Sequence, residues 1–149
     1  MNLKEELYKQ CDVFISNRFE TIQKTIEEIQ ESLTTETKST AGDKHETGRA
    51  MLQLEREKTG SQLAEIQTIK TVLSKIDVGK STNTVSLGSI VYTSNLNYFI
   101  AISAGELKVG NETFYAVSVG TPIGQLLIGK VIDDEIVFRN QKFVVEKIL

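Results

Sequence analysis

The hydrophobic period of this chain changes once, near Gly79, and that change limits what it can fold into. Residues 1–80 contain no proline, and Gly42, Gly48, Gly60 and Gly79 are their only glycines. Within them Leu7, Cys11 and Phe14, then Ile22, Ile26, Ile29 and Leu33, recur at spacings of three and four, apart from a phase slip near Arg18 and Phe19. Such spacing marks one face of a long helix. A second stripe runs through Leu63, Ile66, Ile69, Leu73 and Ile76, preceded by Met51 and Leu54. Between the stripes, residues 34–42 are polar and rich in types that break helices. Each stripe is too narrow to cover a globular core, so the pattern predicts an antiparallel helical hairpin, a coiled coil over residues 1–79 with its tip near 35–47. Arms of about 30 residues would each run ~45 Å.

Beyond Gly79 the chain is rich in Val, Ile, Tyr, Phe and Thr over residues 84–93, 97–103, 108–119, 135–139 and 142–149. Gly105, Gly110 with Asn111, and Asn140 with Gln141 punctuate these runs as turns. One short helix fits from Pro122 to Ile128, with Thr121 as N-cap and Gly129 closing it. Leu126 and Leu127 are expected to pack inward. The fold class expected is therefore α+β: the helical hairpin, then a small antiparallel sheet with one helix over residues 80–149.

The charge balance excludes one class of function. Lys+Arg 17 against Asp+Glu 20 gives a net charge of −3, without the positive field of an autonomous DNA binder. The opening residues carry charge where a signal peptide needs an apolar core, no apolar run approaches the ~20 residues of a membrane helix, and the lone Cys11 cannot form an internal disulfide. A cytoplasmic protein without membrane attachment is expected.

Catalytic equipment is sparse. His45 is the only histidine and Cys11 the only cysteine, too few for a zinc site, and a Ser-His-Asp relay would have to use His45 in a polar segment. The inventory points away from a self-contained enzyme. One constellation stands out: Gly42-Asp43-Lys44-His45-Glu46, at the start of the second helix. As a capping box, Asp43 would be the N-cap and Glu46 would reach back from N3. As a ligand pair, the same carboxylates could hold a hard cation such as Mg²⁺ through oxygen, with further ligands from elsewhere. Lys38, Lys44 and Arg49 flank them and could touch a phosphate backbone, or form a solvated surround. Glu27, Glu28 and Glu31 read as a solvated face.

The last third of the chain resembles the GreA/GreB family of bacterial transcript-cleavage factors. Val117-Ser118-Val119-Gly120-Thr121-Pro122-Ile123-Gly124-Gln125-Leu126-Leu127-Ile128-Gly129-Lys130 is similar to that family's Ile-Ser-x-x-Ser-Pro-Ile/Leu-Gly-x-x-Leu-Leu-Gly-Lys signature. Asp133-Asp134-Glu135-Ile136-Val137 and Phe143-Val144-Val145-Glu146-Lys147-Ile148 resemble its last two strands. The resemblance implies an FKBP-like C-terminal domain that docks at the rim of the RNA polymerase secondary channel. Gly42, Asp43 and Glu46 also fall on the glycine and two acidic positions of the family's tip motif, Gly-Asp-x-x-Glu-Asn-Ala-Glu-Tyr. It further implies that Asp43 and Glu46 enter that channel and act as auxiliary catalytic groups. There they would share the second Mg²⁺ that cleaves a backtracked transcript, the protein binding no cofactor alone. RNA polymerase is then the partner, and the RNA 3′ end is met only within the complex. Thr47-Gly48-Arg49-Ala50 departs from the motif, replacing an acidic residue by Arg49. Three readings stay open: a cleavage factor, a channel-occupying regulator that does not promote cleavage, and an adaptor that reuses the fold.

Overall fold

The computed structural model describes the backbone of residues 2–38 and 42–149 and the side chains of residues 2–35 and 47–149. Two long helices come first, α1 (Leu3–Lys38) and α2 (Gly42–Ser74). Asn2 caps α1 by accepting the Glu5 amide at 2.8 Å, and Glu5 and Glu6 lie in its first turn, where acidic groups complement the helix dipole. The chain divides into two compact units, one of Ile15–Ile69 and one joining Met1–Phe14 to Lys70–Leu149.

In the Ile15–Ile69 unit the helices pair antiparallel. The Arg49 guanidinium donates to the Leu33 carbonyl at 3.2 Å, and Ile22 and Thr25 share a cleft with Leu54, Lys58 and Gln62. Among its described residues Ile15, Ile29, Leu33, Thr59 and Ile66 are buried, and Ile22, Ile26, Leu52, Arg56, Gly60, Leu63 and Ile69 are half-buried. Traced back from Ile66 in steps of three and four, the seam passes Leu63, Thr59, Arg56, Leu52 and Arg49. Met51 and Leu54, expected on the stripe, fall off this phase and are each 67% exposed. The break expected at residue 34 is also displaced, because α1 continues to Lys38. Thr34 and Thr35 return their hydroxyls to the carbonyls of Gln30 and Glu31, so their side chains are satisfied inside the helix.

In the other unit six strands form one sheet in the order β3-β4-β2-β1-β6-β5. They are β1 (Ile90–Thr93), β2 (Tyr98–Ala101), β3 (Gly105–Val109), β4 (Glu112–Ser118), β5 (Glu135–Phe138) and β6 (Gln141–Ile148), with helix α3 (Pro122–Leu127) before β5. The sheet is mixed: β2 and β4 run parallel, Tyr98 opposite Tyr115 and Ala101 opposite Ser118. The expectation of an all-antiparallel sheet fails at that pair alone, since β3 forms the edge and β4 returns between it and β2. Within residues 108–119 the expected Gly110-Asn111 turn separates β3 from β4, and Gly110 supplies the positive φ of 60° that this two-residue turn demands. The other hairpin turns at Arg139-Asn140, one residue earlier than expected. Residues 84–89 precede β1 outside any strand.

Both faces of β2 are buried. On one, Val91, Tyr98, Ile100, Phe143 and Val145 pack with Ile123 and Leu127 of α3. Their alternates Ile90, Phe99, Ala101 and Phe114 are also fully buried. The opening turns of α1 are tied to this unit by Gln10, whose amide donates to the Lys108 carbonyl at 2.9 Å, and there Leu7 and Cys11 are inaccessible.

The 117–130 segment earns its residues physically. Thr121 caps α3, its hydroxyl accepting the Gly124 amide at 3.2 Å, and Pro122 opens the helix. A Cβ on Gly124 would lie 2.1 Å from the Ser118 carbonyl oxygen, so only glycine fits. Gly129 takes φ 83° just past the helix and donates to the Val85 carbonyl. Leu127 is inaccessible as expected, whereas Leu126 faces outward at 38% exposure, because six residues cannot turn both leucines inward.

Candidate functional site

The residues singled out in the sequence cluster at the start of α2. Helix α2 begins at Gly42, so Asp43, Lys44, His45 and Glu46 belong to its first two turns and Asp43 follows the first helical residue. The side chains of Lys38, Asp43, Lys44, His45 and Glu46 lie outside the described residues. Arg49 is described: it is half-buried, with its guanidinium on the Leu33 carbonyl. That bond joins the last turns of α1 to the first turns of α2 and satisfies a carbonyl near the helix end. Glu27, Glu28 and Glu31 are exposed, as a solvated face requires.

Asp43 and Glu46 offer hard oxygen donors, the chemistry that suits Mg²⁺, but two carboxylates fall short of its octahedral set. Among the described residues no group of three or more His, Cys, Asp and Glu side chains could hold a metal ion. Nor is Cys11 a nucleophile: burial pushes its thiol up to about 12, with a smaller opposing effect from the Ile102 backbone. Among the described residues no helix is long and apolar enough to cross a membrane.

A second cluster escaped the sequence reading. Lys4 occupies the inward stripe of α1, one step before Leu7, and only 8% of it is exposed. Its ammonium donates to the Lys80 carbonyl at 2.7 Å. Burial pulls its pKa below the usual lysine value, and the negative charge of Asp77 partly restores it. Lys4, Lys75, Asp77, Lys80, Thr82, Ser86, Gly88 and Ser89 line a polar cleft of about 240 Å³. The available signal was a lysine continuing an apolar stripe, together with the hydroxyl-rich Ser81-Thr82-Asn83-Thr84 segment.

The crystal structure of the GreA factor homolog 1 (Gfh1) protein of Thermus thermophilus is 17% identical over 91% of this chain and 92% of that one, with a TM-score of 0.36. A second structure, of the transcription factor Gfh1, is 17% identical over 90% of both chains, with a TM-score of 0.35. No protein-family model and no curated protein matches the sequence.

Proposed function

We propose that this chain is a Gre-like transcription factor that binds RNA polymerase, inserts its helical hairpin into the secondary channel and promotes cleavage of backtracked transcripts. The observation that carries the reading is the 117–130 signature. Thr121, Pro122, Gly124 and Gly129 each have a physical task around α3, in a mixed sheet that follows a helical hairpin. In this reading Asp43 and Glu46 act at the hairpin end and the polymerase supplies the remaining metal ligands. The Mg²⁺ held between them would polarise the phosphate and generate the attacking nucleophile. This chain's part is to bring two anionic oxygens to the polymerase centre, and it needs no active site of its own.

Arg49 favours a second reading. Where the family motif carries an acidic residue, this chain has a guanidinium bonded to the Leu33 carbonyl. A hairpin end stiffened in this way, with fewer carboxylates, suits a regulator that occupies the channel without promoting cleavage.

The test is RNA cleavage by stalled, backtracked complexes of the cognate polymerase, with wild type and Asp43→Asn/Glu46→Gln at matched concentrations. Faster 3′ cleavage that vanishes in the double variant is the expected result. Binding without acceleration selects the regulator, and failure to bind the polymerase overturns both readings.

A further inference from the structure

We propose that the cleft between the start of α1, the α2–β1 connection and the turn before β1 is a binding site for a phosphate group. Lys4 is the first reason. Its ammonium carries three N–H donors, of which the Lys80 carbonyl takes one. No ion pair engages Lys4 among the described residues, and it is more than nine-tenths buried in the wall of the cleft. A buried cation with donors to spare calls for an acceptor.

Ser89 is the second reason. It is 2% exposed, and its oxygen accepts the Ser86 amide at 3.0 Å. The Thr82 hydroxyl donates to the Thr84 carbonyl at 2.7 Å, so Ser86 donates to Thr82 across their 3.2 Å contact. The Ser89 proton is left with only the Ser86 oxygen at 3.5 Å, the limit of a hydrogen bond. A strong acceptor in the cleft would take that proton.

Charge gives the ligand its sign. Lys4, Lys75 and Lys80 face the single carboxylate of Asp77, in a chain whose net charge is −3. One Asp77 oxygen accepts the Gly79 amide at 2.9 Å, and its single negative charge is shared among the three lysines. Lys75 and Lys80 are exposed and make no ion pair among the described residues, so their flexible ammonium groups can close over an anion as point charges. Size narrows the class further. A cleft of about 240 Å³ is below the 300–1,000 Å³ of drug-sized ligand sites, which fits one phosphate or a terminal phosphomonoester better than a whole nucleotide.

The experiment is amide and lysine-side-chain NMR titration of the full chain with inorganic phosphate at constant ionic strength, with chloride as control. β-Glycerol phosphate and a single-stranded RNA without terminal phosphate form two further arms. Saturable shifts confined to Lys4 and residues 75–89, absent with chloride, are expected. Lys75→Ala/Lys80→Ala, which removes only exposed side chains, should weaken the affinity by about tenfold. Lys4→Met should abolish the shifts; if it fails to fold, the double variant alone decides. Saturation by free phosphate and by the monoester marks a terminal-phosphate site, and saturation by free phosphate alone an inorganic-phosphate site; both support the proposal. Absence of saturation, equal shifts with chloride, an unchanged affinity in the double variant, or tighter binding of the RNA would overturn it. None of these outcomes depends on polymerase binding.

Discussion

The two compact units bury very different things. In the sheet unit Phe99, Phe114, Ile90, Ile100, Leu127, Val91 and Val145 are all below 2% exposure. In the Ile15–Ile69 unit Ile15 and Ile66 are buried as deeply, but the seam mixes them, Ile29 and Leu33 with buried Thr59 and half-buried Arg49, Arg56 and Gly60. Apolar burial drives stability at roughly 25 cal/mol per Å², so the sheet unit is expected to be the more stable of the two. The hairpin is the place where local opening should be cheapest.

The largest expected effect comes from emptying the sheet core. Phe99→Ala leaves a hole under β2, both faces of which are buried, and should cost about 3–5 kcal/mol in urea unfolding followed by near-UV and far-UV dichroism. Ile26→Ala, at a half-buried seam position, should cost well under half of that. Equal losses would erase the contrast between the units.

Next is Gly124→Ala. The added Cβ must displace the Ser118 carbonyl, which also accepts the Thr121 hydroxyl and amide, so one methyl disturbs the whole cap of α3. About 1–3 kcal/mol of destabilisation is expected, measured by the same unfolding curve. Gly120→Ala, whose Cβ would meet open space, is the control and should leave the midpoint nearly unchanged.

The pH dependence of the sheet unit sharpens the comparison further. The Cys11 thiol is raised from 9.0 to about 12 by burial. Its contribution is therefore complete below pH 9 and lost as pH rises through about 12, because only the unfolded chain releases the proton in that window. Stability should fall by about 1.4 kcal/mol for each pH unit within it relative to Cys11→Ala. Modification by a thiol reagent at pH 8 should likewise await unfolding. Rapid labelling of the native protein would show that Cys11 is reached from solvent.

How much of this was legible in the sequence depends on how local the determining physics is. Thr121, Pro122 and Gly129 could be assigned in advance because caps act within one turn. The helical stripes are visible too, but a polar seam at Arg49, Arg56 and Thr59 carries no apolar signature, and the apolar Met51 and Leu54 beside it lie off the seam. The parallel β2–β4 pair was hidden because strand order is decided by contacts far apart in sequence. Asp43 and Glu46 came from spacing and resemblance, and their side chains lie outside the described residues. The Lys4 cleft could not be read, since it assembles from α1, the connection after α2 and the turn before β1.

The smallest effect tests the polar seam itself. The Thr59 hydroxyl returns to the Glu55 carbonyl at 2.8 Å within its own helix, so the side chain is satisfied without a cross-helix bond. It is 4% exposed, and valine has nearly its shape. In Thr59→Val the Glu55 carbonyl keeps its helical partner, the seam exchanges a hydroxyl for a methyl, and no polar group is stranded. A gain of about 0.5–1 kcal/mol in the hairpin is expected, against the usual direction for a buried substitution. It should appear as slower amide exchange confined to residues 15–69, with the exchange of β2 and β4 unaltered. Slowing spread evenly over both units would mean that they unfold together, and the contrast in their seams would then have no energetic consequence.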